Sequence, residues 1–85
     1  MDRLIVKIKE VDDKGDQFII DIVNELSLIK NNYDNGQLTG NQFQDLAFEL
    51  INLQKVRRMV ISVERKVRLL QALTQIKNIL EDEFK

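Results

Sequence analysis

From Asn41 to Lys85 the chain contains neither Gly nor Pro. Over that stretch Leu46, Leu50, Leu53, Val56, Val60, Val63, Val67 and Leu70 recur mostly three and four residues apart. Leu73, Ile76 and Leu80 follow with a slightly shifted phase. Such spacing marks an amphipathic helix. A single helix from 40 to about 82 would be roughly 64 Å long. A globule of 85 residues is only about 30 Å across. A helix twice that long cannot bury its apolar stripe within one compact chain, so it either breaks or packs against another subunit. From Leu53 to Leu70 the stripe has an a/d heptad pattern, which favours packing between helices. Met59, Ile61 and Leu69 lie off the stripe and imply burial on a second face, as in a four-helix bundle. The expected oligomer interface is therefore Leu53, Val56, Val60, Val63, Val67 and Leu70.

Upstream of this stretch the turn signals are dense. Asn35-Gly36 is a breaker, and Gly36 can take the left-handed conformation that ends a helix. Thr39-Gly40-Asn41-Gln42 reads as a capping box, with Leu38 and Phe43 in the two places of a hydrophobic staple. Before the turn, Phe18, Ile19, Ile22, Val23, Leu26, Ile29 and Tyr33 fall at helical spacing behind Asp16, a capping residue. This predicts a helix from about 17 to 34. Residues 3–11 read two ways. Leu4, Val6 and Ile8 alternate like a strand, with Asp12 to Gly15 as a hairpin turn. Yet Leu4, Ile8, Val11, Gly15, Phe18, Ile22, Glu25 and Ile29 step by fours and threes, a heptad running into the first helix. The expected fold is all-α. It is a single helical domain over 1–85, an antiparallel helical hairpin with a long second helix that dimerises into a bundle. The strand alternative stays open at 3–11.

Composition narrows the chemistry. There are 13 basic and 14 acidic side chains, a net charge of −1, and no His, Cys, Trp or Pro. Without His or Cys there is no Ser-His-Asp triad, no Cys nucleophile, no Cys/His zinc site and no thiolate iron–sulfur site. No cofactor and no metal are expected, and the chain is read as no enzyme. No uninterrupted apolar run exceeds three residues, so no membrane partner is expected. The charges around the N-terminal apolar residues are unlike a signal peptide. The expected location is cytoplasmic.

The turn can be laid over a twelve-residue calcium loop, with Asn31 first, Gly36 sixth and Gln42 twelfth. Such a loop needs several carboxylates and a bidentate Glu in its last place. Here Asp34 is its one carboxylate, so the reading is a plain helix–helix turn. Asp12-Asp13 with Asp16, or Glu81-Asp82-Glu83, could hold a hard metal by residue type alone. The second cluster reads as a solvated helix end.

Residues 26–51 carry a recognisable order: Leu26, Ile29, Tyr33-Asp34-Asn35-Gly36-Gln37-Leu38-Thr39-Gly40-Asn41-Gln42-Phe43, then Leu50-Ile51. This resembles the short helical hairpin called SHOCT, with Gln42 where that family has Glu and Leu46 where it has Lys. The resemblance implies a hairpin for oligomerisation or interaction, and no functional residue is carried over from it.

A basic row is the remaining candidate. Lys55, Arg57, Arg58, Arg65, Lys66 and Arg68 lie close together with only Glu64 opposing. In the heptad frame Arg58 and Arg65 share the outermost position, with Lys55 and Arg68 beside them. Residues 10–25 are acidic: Glu10, Asp12, Asp13, Asp16, Asp21 and Glu25 against Lys14. Folding back at the Gly36 turn sets this segment alongside residues 50–65, so the two read as complementary helix faces. The competing reading is a row of phosphate contacts on nucleic acid, centred on Lys55, Arg58, Arg65 and Arg68. The function expected from all of this is a non-enzymatic protein–protein interaction or regulatory module acting through a helix face. Its partners would be a second copy and an unidentified protein. An Asn-, Ile- and Lys-rich composition suits a bacterial or phage accessory protein.

Overall fold

Side-chain caps open four of the helices described, and positive-φ glycines mark two of the turns between helices. The computed structural model describes residues 3–11 and 15–84. Within them run α1 (Leu4–Lys9), α2 (Gln17–Asp34), α3 (Gly40–Leu50), α4 (Leu53–Arg57) and α5 (Val63–Glu83). Asp16 begins α2 by accepting the Phe18 N–H at 3.0 Å. Thr39 begins α3 through a full capping box: its hydroxyl accepts the Gln42 N–H at 3.1 Å, and Gln42 Oε1 accepts the Thr39 N–H at 2.9 Å. Asn52 and Ser62 begin α4 and α5 in the same manner, accepting the Lys55 and Arg65 N–H groups. Each cap satisfies a donor that a helix start leaves without a partner.

The end of α2 is closed as thoroughly. Gly36 sits at φ 79°. Its N–H reaches the Tyr33 carbonyl and the Gln37 N–H reaches the Asn32 carbonyl at 2.8 Å. This pair of bonds is the Schellman arrangement, and the positive φ is why Gly stands there.

The long second helix expected from residues 40–82 is instead three helices. Two interruptions separate them, at Ile51–Asn52 and at Arg58–Ser62. At each, a short polar side chain offers the backbone an alternative to continuing the helix. Val60, Ile61 and Val63 add β-branched residues around the second break, where they weaken a helix by losing side-chain freedom. The bends resolve the length mismatch within one chain. They also change which face is buried. In α5 the buried stripe is Leu69, Ala72, Leu73, Ile76 and Leu80. The expected interface is thereby split: Val56 lies wholly in the chain's own core, Leu53 and Leu70 pack against that core, and Val60, Val63 and Val67 are exposed.

In α1, Leu4 and Ile8 are buried while Val6 is exposed. The fourfold spacing prevails over the alternation, so the strand alternative is not what forms. Of the hairpin turn expected over Asp12 to Gly15, residues 12–14 lie outside the described residues. Gly15 at φ 75° and the Asp16 cap separate α1 from α2, so the heptad does not run through as one helix.

All five helices contribute to a single apolar cluster. At one end Asp16 meets Arg65. At the other, Tyr33 stacks on Phe43 at 5.2 Å between ring centroids, and Phe43 meets Phe84 edge-on at 5.6 Å. α2 and α5 therefore run in the same direction along the molecule. The exposed area is 5,607 Å², close to the roughly 5,200 Å² expected for a folded chain of this mass.

Replacing Asn52 or Ser62 by Ala tests the breaks. Each change should cost about 1 kcal/mol by removing a cap. Along an unbroken helix the same changes would stabilise, since Ala is the better helix former. Urea unfolding of the two variants distinguishes these opposite signs.

Candidate functional site

The basic row does not stand as one surface. Arg65 grips Asp16 with two hydrogen bonds, Nε to Oδ2 at 2.9 Å and Nη2 to Oδ1 at 3.1 Å. Arg68 reaches the same carboxylate at 3.6 Å, and its Nε is buried without a hydrogen-bond partner. The Asp16 side chain is only 7% exposed. It thus serves the first turn of α2 and binds two cations of α5 together. Arg65's hydrogen bonds hold the Asp16 carboxyl below its ordinary range. Burial pushes the other way, and the Phe18 N–H, Arg65's charge and Arg68 add to the lowering. The same contact raises Arg65 further above its usual value. Lys55 leaves the row altogether, its Nζ standing 5.9 Å from the centre of the Phe18 ring. Lys66 donates to the Arg57 carbonyl at 3.1 Å, closing the end of α4. Arg57 and Arg58 are exposed, and neither has an ion-pair partner among the described residues.

A groove that the sequence did not single out lies between α2 and the α3–α4 corner. Its volume is about 680 Å³. Phe18, Ile22, Ile29, Leu46 and Leu50 supply apolar walls, and Asp21, Glu25 and Glu49 supply carboxylates. Asn52 and Lys55 also line it, from the start of α4. Along α2 the lining runs from Phe18 to Ile29, a length of about 16 Å. The spacing Phe18, Ile22, Glu25, Ile29 follows one helical face. Asp21 accepts a hydrogen bond from Gln17 at 2.8 Å. Among the described residues Glu25 and Glu49 have no basic partner. The acidic segment is therefore only partly neutralised by the basic row, through Asp16.

No group of three His, Cys, Asp or Glu side chains that could hold a metal ion occurs among the described residues. Glu81 lies 3.9 Å from Lys77 one turn earlier, and Asp12 and Asp13 lie outside the described residues. Gln42, which would close a calcium loop, is engaged in the capping box. No helix among the described residues is long and apolar enough to cross a membrane. No family model, curated protein or solved structure matches the chain.

Asp16 should leave a signature in acid. Its native pKa lies below the ordinary 3.8. Its stabilisation is therefore complete above that value and is lost as pH falls through the native pKa. Asp16→Asn keeps a capping oxygen but removes the charge. The variant should melt lower than wild type at neutral pH, and its melting temperature should fall less steeply in acid. Thermal unfolding between about pH 2 and pH 6 checks both statements.

Proposed function

We propose that the chain is a non-enzymatic protein-interaction or regulatory module of the cytoplasm. It would work through the antiparallel hairpin of α2 and α3, whose outer face carries the groove. The single observation supporting this reading is the groove itself: an open apolar channel with the Glu25 and Glu49 carboxylates unneutralised beside it. Helix-in-groove recognition uses such surfaces, with apolar anchors seated in the channel and charges matched along its rim. The anchors that fit here are apolar residues flanked by Lys or Arg. A small accessory protein of a bacterium or phage suits the size and composition.

The competing reading is nucleic-acid binding through the basic row. Exposed Arg57 and Arg58 favour it. Arg65 and Arg68 weigh against it, because both are turned to Asp16, and rows that bind phosphate keep their cations free. Leu46 is the groove's most accessible apolar residue, at 38% exposure, so Leu46→Asp should fold normally. Wild type and Leu46→Asp used as paired baits in the native cell should differ by a discrete set of proteins lost from the variant. If both baits retain the same proteins, and wild type binds random DNA or RNA with a steep loss on adding salt, the nucleic-acid reading replaces this one. Arg57→Glu with Arg58→Glu should then abolish that binding.

A further inference from the structure

The most exposed large apolar residues described are Val60, at 102%, and Val63, at 77%. They lie in and just after the break between α4 and α5, next to the unpaired Arg57 and Arg58. Val60 and Val63 leave apolar surface in water that burial would stabilise, with the exposed Arg57 and Arg58 nearby in the chain. This valine knuckle also has the chemistry that the groove lacks. The groove sets three carboxylates, Asp21, Glu25 and Glu49, against the single cation Lys55, and the knuckle sets Arg57 and Arg58 against the single carboxylate Glu64. We infer that the groove of one copy receives the Arg57–Val63 knuckle of a second copy, with the two copies exchanging these contacts reciprocally.

Charge decides among the ways two copies could meet. Knuckle against knuckle sets Arg57 and Arg58 against their own counterparts. Groove against groove sets Asp21, Glu25 and Glu49 against theirs. Lys55 is the groove's one cation against three carboxylates, so knuckle against groove is the pairing in which opposite charges prevail on both copies, and like charges facing one another are a strong bar to pairing. Length agrees. At between 1.5 and 3.3 Å per residue, a run from Arg57 to Val63 spans about 9 to 20 Å. The groove is about 16 Å long on the same helical rise.

Position explains why the contact would close. Asn52 and Lys55 line the groove, and the knuckle begins where α4 ends, at Arg57. Ser62 and Arg65 bring the far side of the knuckle back to Asp16, at the start of α2. Both surfaces thus meet at the α2 N-terminal end of the molecule. A two-fold axis near that end lets each copy give a knuckle and take one. The result is a closed dimer, not the open filament that a head-to-tail contact risks. This inference rests on the groove being a protein-docking surface. It adds that any other partner must displace the second copy.

Sedimentation equilibrium from about 5 to about 500 µM tests it, since a contact of this kind is expected in the micromolar range. The mass should rise to twice the 10.0 kDa of one chain. Val60→Glu, and separately Glu25→Lys with Glu49→Lys, should each weaken the dimer more than about tenfold. Mixing a chain carrying Arg57→Glu and Arg58→Glu with one carrying Glu25→Lys and Glu49→Lys should restore it, because both reciprocal contacts become complementary again. The chain has no Cys, which allows a second measurement that does not depend on the charge variants folding. Under mild oxidation, a mixture of Val60→Cys and Leu46→Cys chains should yield chiefly the cross-linked heterodimer. A monomer at every concentration overturns the inference. So does a dimer indifferent to the groove charges, or a cross-link that forms chiefly between two Val60→Cys chains. A monomer whose Leu46→Asp variant still loses a cellular partner removes the self-pairing and leaves the docking reading in place.

Discussion

The fold answers one geometric demand: an apolar stripe longer than the globule must be buried by the chain that carries it. Straight, residues 40–82 would run out past any core that residues 3–34 could provide. Two capped interruptions, at Asn52 and Ser62, turn the stripe into three helices. The last of them then returns along α2. Burial drives this, because each apolar side chain removed from water contributes roughly 1.5–3 kcal/mol. Leu69, Leu73, Ile76 and Leu80 are essentially inaccessible as a result. The caps make the bends affordable by pairing the N–H groups that each new helix start exposes.

Local chemistry was legible in the residues, and non-local placement was not. The Asp16 cap, the Gly36 turn and the Thr39–Gln42 box could be read because each is complete within a few residues. Asn52 and Ser62 carried the same kind of signal, and Glu64 stood where an acid suits the first turn of a helix. They were hidden by an apolar periodicity that continued across both, and by the absence of Gly and Pro. Val63 and Val67 continue the stripe by spacing, yet the bend leaves them exposed, while Leu69 from the second face and Leu73 from the stripe are both buried. The pairing of acidic and basic segments was visible in outline. That Asp16 would hold Arg65 and Arg68, leaving Asp21 and Glu25 beside a groove, depends on where α5 begins in space. The groove is likewise a property of the α3–α4 corner, which an unbroken helix would not possess.

The same corner ties the functional reading to the architecture. Bending the chain at Ile51–Asn52 opens a channel against α2, and bending it again after Arg57 pushes Val60 into solvent. An unsatisfied acidic groove and an unsatisfied basic knuckle are thus two products of one solution to the packing problem. Each is rooted in the core, the groove through Ile22 and the knuckle through Met59 and Ile61, while its charged residues face water. Elsewhere Lys30 pairs with Asp34 within a single turn of α2.

The contact between α2 and α5 is fastened by different physics at its two ends. Beside Asp16 it is held by a charged, oriented hydrogen-bond cluster. Beside Phe84 it is bridged by Phe43 of α3, which stacks on Tyr33 and meets Phe84 edge-on. Protonation attacks the first and leaves the second untouched, whereas cooling weakens the apolar end first. Local opening in this protein therefore has a direction that the solvent chooses. In acid, α5 would peel from its N-terminal end, freeing the Val60 segment while the aromatic end stays shut.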